Sequence, residues 1–208
     1  MAPTISPRQD FNVEESDHTL GLNLPQTVGN RLWLPMFAMA LIGFIAGFAI
    51  HVIKANQIAG GGDEATIATL SHTATGVMFI GFASVFAGIS FAIARILGEF
   101  RTGGGTVQEA VGATVQTLKM SPSAKAFIVL MAMGMMIILA GVVGHFVIAA
   151  QITGGSVEAL ANSEQWAIWL EGVRRFGVAV YLTAIALGLA TIVTVLRFQA
   201  TRIRELAK

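Results

Sequence analysis

Four long apolar runs, near residues 32–53, 74–98, 124–150 and 173–198, are separated by polar stretches along the chain. Each approaches or exceeds the roughly 20 residues that cross about 30 Å of hydrocarbon as a helix. A soluble bundle would need a polar face on every helix, and residues 127–144 carry no charged side chain. The pattern predicts an all-α integral membrane protein with four transmembrane helices. Composition agrees, with 12% of residues charged against about 25% in soluble domains.

The polar segments set a topology. Ten of the thirteen Lys and Arg fall in the first 31 residues, the central loop (Arg95, Arg101, Lys119, Lys125) or the tail (Arg197, Arg202, Arg204, Lys208), while Lys54, Arg174 and Arg175 fall in the other two loops. The positive-inside rule then puts both termini in the cytoplasm of a plasma (inner) membrane. Trp33 at one end of the first helix and Trp166 with Trp169 before the fourth suit the interfaces. Pro35 fits the first turn of that first helix, where a missing N–H costs little.

Residues 1–30 read as a polar, extended arm that orders only under a partner subunit, and not as a cleavable signal peptide. Residues 31–98 form a first helical hairpin and 99–122 a cytoplasmic linker. A second hairpin spans 123–200, followed by a basic tail, 201–208. Within the linker, Gly103-Gly104-Gly105 precedes Thr106–Met120, whose Val107, Ala110, Val111, Val115 and Leu118 suit a short helix on the membrane surface or an ordinary surface helix.

The chain also repeats itself. Ala46-Gly47, His51, Ala55, Gln57-Ile58 and Gly60-Gly61 return 94 residues later as Ala140-Gly141, His145, Ala149, Gln151-Ile152 and Gly154-Gly155, and from 38 to 65 there are 12 identities in 28 ungapped positions. Such similarity marks a structural repeat, here two parallel-repeat helical hairpins. Its glycine pairs are natural helix stops. Gly43, Gly47 and His51 lie on one stripe, and small residues there let another backbone approach closely. Packing of the first helix against the third is the expected result.

His51 and His145 are the repeated pair able to bind metal or move a proton. Brought together on the repeat axis, they offer the two axial nitrogens of a b-type haem. The bland alternatives are interhelical hydrogen bonds and contacts to a partner. His72, read as lying just before the second helix, is either a third ligand, a proton or quinone contact, or a plain interfacial residue. Gln57 and Gln151 suit a head group, a quinone oxygen or simple helix closure. Arg174 and Arg175 suit haem propionates, lipid phosphate or helix anchoring. Met131, Met133, Met135 and Met136 read as packing, and His18 has no assigned role.

Zero cysteines exclude disulfides, thiolate metal sites and covalent haem. No nucleophile or phosphate-loop motif occurs, and nothing suggests nucleic acid. The expected function is a small integral subunit of a larger, redox membrane complex, with haem b as the candidate cofactor. Other membrane subunits, lipid and quinone are the expected partners. This layout resembles the four-helix cytochrome b anchors of respiratory enzymes in architecture alone. The alternatives are a cofactor-free structural or assembly subunit and a small oligomeric transporter.

Overall fold

The computed structural model describes residues 11–207. The first ten residues of the expected arm, with Arg8, and Lys208 of the tail lie outside the described residues. The element order is β1 (Val13–Ser16), α1 (Leu24–Ala59), α2 (Glu64–Ala110), β2 (Val115–Leu118), α3 (Pro122–Thr153), α4 (Val157–Ala161) and α5 (Ser163–Leu206). The four long helices, α1, α2, α3 and α5, are long and apolar enough to cross a membrane. Their outward faces are apolar as well, with Ile42, Phe48, Met136, Ile168 and Phe176 all exposed. α2 is the central element: half of its most apolar window is buried, against 17% for α1. α1 packs along α2, α3 packs along α5, and α2 also meets α3 and α5.

Three helix starts differ from the hydropathy reading: α5 begins at Ser163, so Trp166, Trp169, Arg174 and Arg175 lie inside it and not before it, and local capping sets the other two. Asn23 and Gln26 form a reciprocal capping box, with Pro25 in the first turn, so α1 begins at Leu24. Pro35 is therefore an interior proline and not a first-turn one. Asp63 accepts hydrogen bonds from the Thr66 N–H and hydroxyl and starts α2 at Glu64. These bonds hold the Asp63 carboxyl below its ordinary range, the Thr66 hydroxyl being the larger cause. At 36 and 47 residues, α1 and α2 are about 54 and 70 Å long at ~1.5 Å per residue, well beyond a ~30 Å hydrocarbon layer.

The repeated helices end alike. Gly61 and Gly155 adopt positive φ, 71° and 84°. The N–H groups of Gly62 and Ser156 return to the carbonyls of Gln57 and Gln151 at 2.8 and 3.0 Å. This is the glycine stop expected from the paired Gly-Gly sequence.

The small-residue stripe does bring helices into close contact, but α1 meets α2 there and not α3. A Cβ on Gly43 would lie 2.9 Å from both Cα and N of Gly81, and one on Gly47 would lie 2.6 Å from Cγ of Met78. α3 uses its own glycines against α5, Gly134 facing Tyr181 and Gly144 facing Leu170. Each repeated helix therefore packs on the next long helix in the chain.

The linker also differs from the sequence expectation. α2 runs through Gly103-Gly104-Gly105 to Ala110, and Gln199 of α5 and Thr19 approach the backbone at Gly104 and Gly105, where a side chain would clash. After the positive-φ turn at Gly112, residues 115–118 form β2. This strand pairs antiparallel with β1, Val13 opposite Leu118 and Ser16 opposite Val115. The described part of the arm is thus ordered by its own chain.

Gln108 holds β2 in place, accepting from the Gln116 N–H and donating to the Gln116 and Gly104 carbonyls. Arg202, 8% exposed, donates to Gln108 Oε1 and the Thr114 carbonyl and pairs with Glu205 at 2.7 Å. These groups form a polar cap at one end of the bundle.

Candidate functional site: a buried histidine pair

Because α2 starts at Glu64, His72 lies two turns inside it and not before it. Ala68, His72, Gly76 and Phe79 follow at spacings of four, four and three, which is one helix face. That face meets α3. Gly76 permits the approach, since a Cβ there would lie 3.2 Å from the Phe146 ring and 3.4 Å from His145 Cβ.

His72 and His145 are 3% and 2% exposed, and their Nδ1 atoms are 2.9 Å apart. One Nδ1 must carry the proton and the other must accept it, so two neutral rings in opposite tautomers satisfy the contact. His145 Nε2 is buried and has no hydrogen-bond partner among the described residues. Leaving such an atom unpaired costs on the order of 1–3 kcal/mol. Whichever tautomer His145 adopts, this nitrogen presents a lone pair or an N–H to any polar atom that reaches it.

Phe79 contacts the His145 ring edge-on at 5.2 Å, and the Arg174 guanidinium lies 4.7 Å from the Phe79 ring centre. Glu171 pairs with Arg174 and, at 2.8 Å, with Arg175. Both cations anticipated for an acidic ligand therefore already share one carboxylate. Lys54 reaches across from α1 to the Ser71 hydroxyl at 2.7 Å, next to His72.

His51 takes a different position. It is exposed on α1, and its Nδ1 lies 2.9 Å from the Gly47 carbonyl one turn back. The chain thus unites His145 with His72, while His51 faces outward. An iron bound between two imidazoles would separate their ligating nitrogens by about 4 Å, so the 2.9 Å contact between His72 and His145 is hydrogen-bond geometry. Among the described residues, no group of three or more His, Asp or Glu side chains is placed to hold a metal ion. Gln57 and Gln151 are both exposed, and Met131 and Met135 pack against the Ile138–Tyr181 cluster.

The His72–His145 contact was hidden by taking the start of α2 from hydropathy. Asp63 followed by Glu64 is the available signal, since an N-cap Asp with an acidic residue in the first turn marks a helix start. Comparison with protein-family models, with curated proteins and with solved structures gives no match to this chain.

Proposed function

We propose that this chain is a small integral subunit of a larger assembly of membrane proteins, and that the His51 face of α1 is where a neighbouring subunit docks. One observation carries the reading. An imidazole stands on the outside of a long apolar helix, among exposed Phe48, Val52 and Ile53. Ionisable side chains inside a membrane almost always face protein or a water-filled cavity, because a polar atom left in hydrocarbon is costly. The Gly47 carbonyl engages only Nδ1, which leaves Nε2 for a partner's polar group.

In this reading both termini are cytoplasmic, the membrane is the plasma (inner) membrane, and the buried His72–His145 pair fixes α2 against α3. The chain is an assembly subunit and not a stand-alone enzyme. A redox role stands second, and His145 Nε2, without a partner among the described residues, favours it, since that nitrogen is suited to a quinone oxygen. Haem b held between His51 and His145 has less support, because in one chain these residues face different surroundings.

The test is extraction of the tagged chain in lipid nanodiscs directly from its native membrane, followed by mass measurement of the intact particle. The wild type is expected to travel with another membrane polypeptide in fixed ratio. His51→Leu, with unchanged helix content and thermal midpoint, is expected to emerge alone. A wild-type particle containing only this chain and lipid overturns the proposal. In the same samples, a quinone that travels with the wild type and is lost in His145→Phe would move the redox reading into first place.

A further inference from the structure

At the end of the bundle that bears β1 and β2, a cavity of about 340 Å³ opens between α1, α2, α3, α5 and β2, within the ~300–1,000 Å³ range of small-molecule sites. Its wall divides by chemistry. Phe127, Ile128 and Val195 lie on the apolar helices α3 and α5, whereas Arg101 lies nine residues before the end of α2, Thr117 in β2 and Lys119 directly after it. None of the residues lining it is acidic.

Two residues of this wall carry a buried polar atom without a partner among the described residues. The Thr117 side chain is 4% exposed, and its Oγ1 makes no hydrogen bond among the described residues. Arg101 Nε is likewise buried and unpaired among them. Buried hydroxyl and guanidinium groups are normally satisfied, and each exception calls for an explanation. Unpaired donors and cations at the mouth of an apolar slot match an acidic head group followed by a hydrocarbon chain.

We infer that this cavity binds an anionic amphiphile, whose acidic head is held by Arg101, Lys119 and Thr117 and whose chain lies along Phe127, Ile128 and Val195. A guanidinium recognises phosphate and carboxylate oxygens through charge-assisted hydrogen bonds. An acidic phospholipid and a free fatty acid share this chemistry. The site is separate from the His51 face and stands whether or not that face is covered.

The experiment titrates the full chain, purified in an uncharged detergent and stripped of lipid, with four probes. These are dioctanoyl phosphatidylglycerol, dioctanoyl phosphatidylcholine, decanoate and inorganic phosphate, read by calorimetry and by native mass spectrometry. One saturable site is expected, at least tenfold tighter for phosphatidylglycerol or decanoate than for phosphatidylcholine. Whichever of the two anions binds tighter identifies the source of the head group.

Arg101→Gln should weaken that binding about tenfold. Thr117→Val should weaken it several-fold while leaving the lipid-free thermal midpoint unchanged or raised, because it removes an unpaired hydroxyl. If Arg101→Gln does not fold, Lys119→Gln and Thr117→Val supply the same comparison. Equal binding of charged and zwitterionic lipids overturns the inference. So does inorganic phosphate binding as tightly as the amphiphiles, or folded variants that bind like the wild type.

Discussion

Gly43→Ala probes a tight backbone contact between α1 and α2. The new Cβ would lie 2.9 Å from Cα and N of Gly81, whereas carbon atoms rest at about 3.5–4.0 Å. Both contacting atoms are backbone, so no side chain can swing away, and the helices must separate locally by about 0.6 Å or more. Overpacking of this kind costs about 1–3 kcal/mol. Replacing a helical glycine by alanine returns about 1 kcal/mol of helix propensity, which would blur the result taken alone.

Gly172→Ala in α5 supplies the reference, because a Cβ there meets nothing within 4 Å and the propensity gain is similar. The difference between the two variants isolates the packing cost, expected at about 1–3 kcal/mol. Gly47→Ala should fall between them, since its nearest neighbours are the flexible Cγ and Sδ of Met78. Reversible unfolding in mixed micelles, followed by helical circular dichroism, measures all three. If Gly43→Ala is as stable as Gly172→Ala, α1 does not rest on α2 through this stripe.

The His72–His145 pair should be strongly coupled: His145→Phe or His72→Phe alone strands a buried nitrogen and is expected to cost about 1–3 kcal/mol, while the double variant costs less than the sum. A double-mutant cycle in the same micelles reads the coupling, and additive losses would show that the rings do not share a proton. The N-terminus of α2 should loosen in acid. The Asp63 carboxyl is held below its ordinary value of 3.8, so its capping contribution is complete above that value and disappears as pH falls through the lower folded value. Hydrogen exchange of the 64–67 amides, corrected for the intrinsic pH dependence, should rise over that window in the wild type and be pH-independent in Asp63→Asn. Cysteines at Gly62 and Ser156 should react with an impermeant thiol reagent from outside intact cells, and one at Gly103, where a side chain has open space, should not. The reverse pattern would overturn the cytoplasmic placement of both termini.

Long apolar helices were legible in the sequence because hydrocarbon thickness imposes their length. The glycine stops were legible because Gly61 and Gly155 perform a local task that few other residues do. Helix starts were less so, since Asn23 and Asp63 begin α1 and α2 well before the apolar runs, and the shift at Asp63 moved His72 from an interface to the interior. The partner of the Gly43–Gly47 stripe could not be read from α1, because a small residue permits close approach without specifying by whom. The linker strand was missed for a tertiary reason. β2 depends on Gln108 and on β1 about 100 residues away, and neither contributes to the helical spacing of residues 106–120. The repeat itself is plain in the sequence, yet its two histidines occupy different surroundings, because α2 covers His145 and leaves His51 outside.

Photo-cross-linking from position 51 in the native membrane tests the docking proposal most directly. With benzoylphenylalanine in place of His51, irradiation should yield one discrete adduct with a different membrane polypeptide. The same probe at Val143, an exposed position on α3, serves as the comparison for a lipid-facing site. Lipid adducts alone at position 51, or the same products from both positions, would contradict a subunit covering the His51 face.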